Sequence, residues 1–243
     1  MLSAVRDRLA NHFAAAVQAQ ALPVADLLEV QANEAKDKDS RDVLRAASST
    51  LAGLGAALAN GLAGSVRRQF DRKLKPESFN KRDTLTLDTM ALVDEAQMRE
   101  EISIGKAASR LKEQVNFEFF SLSRRIGHLL GVEHIADRDN PVFPGMFAQS
   151  LVDALNHCGL VAAQRSVIFD AFAPMLIEIL PATYQAANDF LIDQGVLIEI
   201  KESYGRAILG KSVAPSACGF CCRRHHRRKR RQRCSSRFGK AKR

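Results

Sequence analysis

Tryptophan is absent, and the 243 residues include only 7 prolines, 14 glycines and 2 tyrosines. So few turn formers argue against a sandwich or barrel of many short strands. Cysteine is scarce before the C-terminal end: Cys158 stands alone, while Cys218, Cys221, Cys222 and Cys234 crowd the tail. No disulfide framework can therefore hold the body. The start, Met1-Leu2-Ser3-Ala4-Val5-Arg6-Asp7-Arg8, lacks the basic opening, apolar core and small-residue cleavage site of a secretory signal. A cytoplasmic location is expected. Acidic residues are missing from 217–243, which hold 12 basic residues and none of opposite sign. Residues 1–216 then carry 24 basic against 27 acidic residues, a net of −3, so the overall formal charge of +9 belongs to the tail.

What is abundant is Ala (35) and Leu (26), a quarter of the chain. Both favour helices, and the expected fold class is all-α: long helices in an elongated, loosely packed bundle with a disordered basic tail. Four divisions follow from the composition. Residues 1–74 read as an N-terminal helical segment, 75–90 as a polar linker with Pro76, Asn80 and Lys81-Arg82-Asp83, 91–200 as a helical domain, and 201–243 as the tail.

In the first segment, Leu2, Val5, Leu9, Phe13 and Val17 share one helix face, and Pro23 is expected to end or kink that helix before a short one over 24–34. A second long pattern runs from about Ser40 to Leu74. Its centre, Ala46 to Val66, holds no charge over 21 residues, enough to span a bilayer. Its bulky members Leu51, Leu54, Leu58, Leu62 and Val66 fall on a single stripe, however, and the remainder is small. That is an amphipathic helix on a core, and no membrane span is expected. Gly53, Gly55, Gly61 and Gly64 read as a thinned face for close packing.

The strongest periodicity follows. Asp94 with Gln97 makes a box-like helix start. From there Ile104, Ala108, Leu111, Val115, Phe119, Leu122, Ile126 and Leu129 recur at a mean step of about 3.6 residues, one seam of one long helix ended by Gly131. Pro144 opens the next helix and Gly159 ends it. The region 161–194 is helical, with Pro174 and Pro181 expected to kink or split it. Val196 to Ile200 is the only strand-like run.

Several of these features, taken in order, carry a resemblance. They are Leu92-Val93-Asp94-Glu95, the run Leu111 to Leu130 with Phe119-Phe120-Ser121-Leu122, Asn140-Pro141 with Pro144, and the stretch Leu180, Tyr184, Asn188, Leu191, Ile192, Gly195-Val196-Leu197. Together they resemble a proteobacterial family, domain of unknown function sixteen-thirty-one, over roughly residues 26–200. The resemblance implies a mostly helical protein, several times longer than this chain, of which this would be a fragment. Members often carry the automatic label thymidine phosphorylase. A nucleoside phosphorylase needs a Gly-rich anion loop on an α/β scaffold, and neither is legible here.

Candidate sites are few, and each has a plainer reading. His128, Glu133 and His134 straddle Gly131, where a spacing of six is wrong for a metal-binding helix pair; a helix end is expected. His157 and Cys158 are adjacent and cannot face each other on a helix. Asp137 and Asp139 read as a solvated capping loop. In the tail, Cys218-x-x-Cys221 with His225 or His226 and Cys234 has superficial zinc-knuckle spacing, and Arg223 to Arg233 would bind phosphate backbones. The favoured reading of the tail is an out-of-frame product, since its Arg-, Cys- and Ser-rich composition begins where the resemblance stops. No catalytic, cofactor-binding or metal residue is assigned. The expected function is that of a scaffold or regulatory interaction segment of a longer bacterial protein, not an enzyme. Its partner, or the remainder of the longer chain, would meet apolar helix faces. Nucleic-acid binding through the tail is the alternative, and thymidine phosphorylase the third reading. One surface expectation follows: the stripe Leu51-Leu54-Leu58-Leu62 should be only partly buried.

Overall fold

A computed structural model describes residues 1–74 and 95–200. The 75–90 linker, the Asp94 cap and every tail residue, including Cys218, Cys221, His225, His226 and Cys234, lie outside the described residues. Six helices account for most of what is described: α1 (Leu2–Glu34), α2 (Lys38–Lys73), α3 (Glu95–Gln114), α4 (Asn116–Leu130), α5 (Pro144–His157) and α6 (Ala162–Asp193). A 3-10 turn, Asp137–Asp139, lies between α4 and α5. The all-α class is what the structure has, with no strand among the described residues.

Three expectations are corrected, each for a packing reason. Proline does not end α1, which continues through Pro23 to Glu34. Pro23 is exposed, and so is Ala19, the residue whose carbonyl would have accepted the missing N–H. Val17, Ala21, Val24, Ala25 and Leu28 on the other face are buried and hold the helix together across the defect. α6 likewise runs unbroken through Pro174, which is exposed, and Pro181, which is half-buried. The helix expected over 94–130 is instead two, bent at Val115 (φ −100°, ψ 18°). The Val115 N–H still reaches Leu111 O (3.0 Å), and its own carbonyl accepts from the Phe119 N–H (2.8 Å). The seam therefore survives the bend: Leu111, Val115, Phe119, Leu122 and Ile126 are buried, with Ile104, Ala108 and Leu129 partly so.

The strand-like run does not form a strand. Gly195 sits at φ +76°, and the Val196 N–H returns to Leu191 O at 2.8 Å, so the start of this run is the C-terminal lock of α6. α4 ends in the same way. Gly131 has φ +70°, and the Val132 N–H bonds Gly127 O at 3.0 Å. α5 opens on Pro144 and is followed by Gly159 in the left-handed region, as the sequence predicts.

All six helices belong to one compact unit, Met1–Glu202, and share one hydrophobic core. α1 and α2 form an antiparallel pair against α5 and α6, while α3 and α4 close over α5 and α6. The stripe expected to be partly exposed is mostly inside: Leu51, Leu58 and Leu62 are buried and Leu54 is half-buried. α1 and α5 cover it. The thinned face does bring neighbours near, since a Cβ on Gly55 would stand 3.6 Å from Ala21 Cβ and one on Gly61 3.7 Å from Ala154 Cβ. Those are ordinary contact distances, so alanine would also fit there. Ser48, buried among these apolar side chains, donates its hydroxyl to Ala25 O at 2.8 Å.

Candidate functional site

The residues singled out by sequence do not converge. His128, Glu133 and His134 are exposed around the end of α4. His157 is exposed, and its Nδ1 pairs with Asp153 O one turn earlier. Cys158 is half-buried, and burial pushes its thiol up from the ordinary value, away from the reactive thiolate. Asp137 pairs with Lys112 of α3, which ties the 3-10 turn to that helix. Among the described residues no group of three metal-ligating side chains comes together.

The polar chemistry that does converge is buried, where α4, the 131–143 loop and α6 meet. Asn140 is fully buried. Its Nδ2 donates to Ser123 Oγ (2.7 Å), and its Oδ1 accepts the Val142 N–H (3.0 Å). This Asx turn presents Val142 O to the Tyr184 hydroxyl, which donates to it. Tyr184 is fully buried, edge-on to Phe147 (5.6 Å between centroids) and tilted on Phe119 (6.3 Å). Burial raises its phenol well above the ordinary value, so it remains a protonated donor at any physiological pH. One turn further along α6, Asn188 uses both ends of its amide. Its Oδ1 accepts from Arg125 Nη1 (2.7 Å), and its Nδ2 donates to Glu118 O (3.0 Å). Thr183 donates to Ile179 O (3.1 Å), which leaves its oxygen to accept from His12 Nδ1 of α1, also at 3.1 Å.

Chemically this is a latch. Thr183, Tyr184 and Asn188 on α6 each hold another element in place, and the charge in the cluster is that of Arg125. As a residue Arg125 is 4% exposed. Burial lowers its pKa, and the charge of Asp189 opposes the shift. The seam pattern did not reveal Arg125. The legible signal was Asn188, a polar residue on the same face as Tyr184, Ala187 and Leu191, where an unpartnered amide would be costly.

Three of the residues that carried the resemblance are thus brought together: Asn140 and Tyr184 meet through Val142, and Asn188 joins them along α6; Leu92, Val93 and Asp94 lie outside the described residues. A family model described as "Protein of unknown function (DUF1631) N-terminal domain" matches residues 1–195. The chain belongs to the DUF1631 family. The DUF1631 match includes α1 from its first turn, more than the resemblance covered, and stops at Gly195, the glycine that terminates α6. No curated protein and no solved structure matches the chain.

Proposed function

We propose that this DUF1631 domain works by binding, as a cytoplasmic scaffold or regulatory segment of a longer bacterial protein. The observation that carries the reading is the contrast between a closed core and large apolar side chains left outside. Leu22, Val161 and Ile198 are 61%, 62% and 65% exposed. Apolar side chains left in water give a partner surface to bury, at about 25 cal/mol per Å². The family description as an N-terminal domain supports a longer parent protein. α1 and α6 are long and apolar enough to cross a membrane, but each turns a continuous face of buried residues toward the shared core, which favours a soluble bundle.

The test is a photo-crosslinking amino acid placed at Leu22, at Val161 and, as control, at the exposed Arg68. The expected outcome is the same discrete adduct from both apolar positions and none from Arg68. Indistinguishable patterns at all three would refute an apolar docking role. Turnover of thymidine and phosphate by the full chain would replace binding with catalysis.

A second reading rests on the 12 basic and no acidic residues of 217–243. Nucleic-acid affinity would then fall steeply with salt and vanish on truncation after Ser216. Equal binding by the truncated chain would remove this reading.

A further inference from the structure

α1 and α6 lie side by side and run antiparallel. His12 Nδ1 meets Thr183 Oγ1 at 3.1 Å, and two turns of chain either way Arg8 stacks over the Phe190 ring, 4.3 Å from its centroid. Each helix turns its buried stripe to the shared core and leaves the opposite stripe outward. Leu22, Asp26 and Val30 lie on the outward stripe of α1, and Glu178, Asp189 and Asp193 on that of α6; all six are exposed. The His12–Thr183 contact fixes the register, which sets Leu22 and Glu178 about five residues apart along the axis, or roughly 7–8 Å.

The charge on this face has one sign. Residues 9–35 hold three acidic residues and residues 166–200 hold five, and neither stretch contains a lysine or arginine. Some of these acids are answered from other helices. Arg45 lies 3.7 Å from Glu29, Lys106 acts on Asp170, and Arg125 acts on Asp189. Among the described residues Asp26, Glu178 and Asp193 form no ion pair. An exposed leucine or an exposed carboxylate is ordinary by itself. Leucine and valine interleaved with unanswered carboxylates on neighbouring helices have a defined complement: apolar side chains along one face of a helix, with lysine or arginine beside them. The apolar contact supplies affinity, and the carboxylates steer the basic partner in and reject an acidic one.

We propose that the outward face of α1 and α6 binds a basic amphipathic helix of a partner protein. Its apolar side chains meet Leu22 and Val30, and its basic side chains meet Asp26 and Glu178. This rests on the interaction reading above and names the chemistry of the partner.

The probe is a fluorescein-labelled helix of leucine and lysine, about 18 residues or five turns long, with leucine along one face. The full chain is titrated into it in roughly 0.1 M salt, and anisotropy gives the Kd. The basic residues of the tail repel this probe and add no background. A second peptide has the same composition, scrambled so that leucine is spread around the helix. The amphipathic peptide should bind saturably and the scrambled one at least about tenfold more weakly. The Kd should rise about tenfold in Asp26→Lys/Glu178→Lys and about threefold in Leu22→Gln. Glu133→Lys, which reverses an exposed acid in the loop after α4, is the control and should leave the Kd within about twofold. Equal binding of the scrambled peptide would reduce the face to bulk charge and overturn the proposal. A Kd unmoved by the double reversal, or moved as much by Glu133→Lys, does the same, as does the absence of saturable binding. Should the double variant fail to fold, Leu22→Gln and the scrambled peptide decide. A failed titration beside a discrete crosslinked adduct from Leu22 removes the basic partner and keeps the interaction reading; failure of both removes both.

Discussion

The two halves of the core are held by different means. The α1–α2 pair meets through small and aliphatic side chains, among them Ala10, Ala14, Ala21, Ala25, Ala47, Ala59 and Ala63. Its ion pairs sit at the two ends. Arg6 bridges Asp7 and Asp71, and Arg67 joins Asp7, at one end; Arg45 lies beside Glu29 at the other. Between α4 and α6 the order is reversed, with polar side chains in the interior: Asn140, Tyr184, Asn188 and Arg125. Alanine faces allow close approach but say little about register, so the charged ends, with the Ser48–Ala25 O bond, supply it at low cost. Buried hydrogen bonds define one alignment, because any slip leaves polar groups unpaired. Phe147 joins the halves, edge-on to Phe13 of α1 at 4.9 Å and to Tyr184 of α6 at 5.6 Å.

The comparison makes the α4–α6 latch the place of largest loss. Asn188→Leu strips Arg125 of its acceptor inside the core and should cost about 3–5 kcal/mol in urea unfolding. A loss under about 1 kcal/mol would mean that Arg125 reaches water at no expense, and the latch description would go.

Tyr184→Phe comes next. It leaves Val142 O buried without the hydroxyl and should cost about 1–2 kcal/mol at neutral pH. It also carries a pH signature. The folded phenol titrates above its unfolded value, so the unfolded chain loses the proton first as pH rises past about 10. Stability should therefore fall by about 1.4 kcal/mol per pH unit above that point. It should be unaffected by this group below it. The alkaline slope should be shallower in Tyr184→Phe, and an identical slope would show that Tyr184 is already ionisable in the fold.

In the other half, a substitution should stabilise. A Cβ on Gly53 meets nothing within 4 Å in the middle of α2, so Gly53→Ala should raise stability by about 0.5–1 kcal/mol. Destabilisation there would reveal a contact that the bundle does not show. The smallest effect is expected at the charged end. Arg6 and Asp71 are both partly exposed, and Arg6→Gln should cost under about 1 kcal/mol, less at 1 M salt. A loss insensitive to salt would mean that the ends do more than set register.

Much of this was legible in the residues, and the misses have a common origin. The seam from Ile104 to Leu129 was readable because apolar spacing reports which face is buried, and it stayed correct across a bend it did not announce. The prolines do not end α1 or split α6, because a local rule meets packing that decides otherwise. Pro23 and Pro174 lie on solvent faces, where a lost hydrogen bond is replaced by water while the opposite face keeps its contacts. The latch was half visible: Asn140, Tyr184 and Asn188 stood out as ordered features, but not as neighbours. Asn140 and Tyr184 are more than forty residues apart, and spacing along a chain carries no information about which loop carbonyl a phenol will reach.

The sequence by itself determined the helical class, the buried stripe of each helix, and the stops at Gly131, Gly159 and Gly195. Each of these follows from periodicity or from a backbone conformation that glycine adopts without strain. Only the tertiary structure decided that α1 and α6 stay whole through their prolines, that Leu51, Leu58 and Leu62 are covered, and that Arg125 is a buried charge held by Asn188. Those outcomes depend on which surfaces meet, and the free energy of a packed face exceeds the local preferences that a sequence displays.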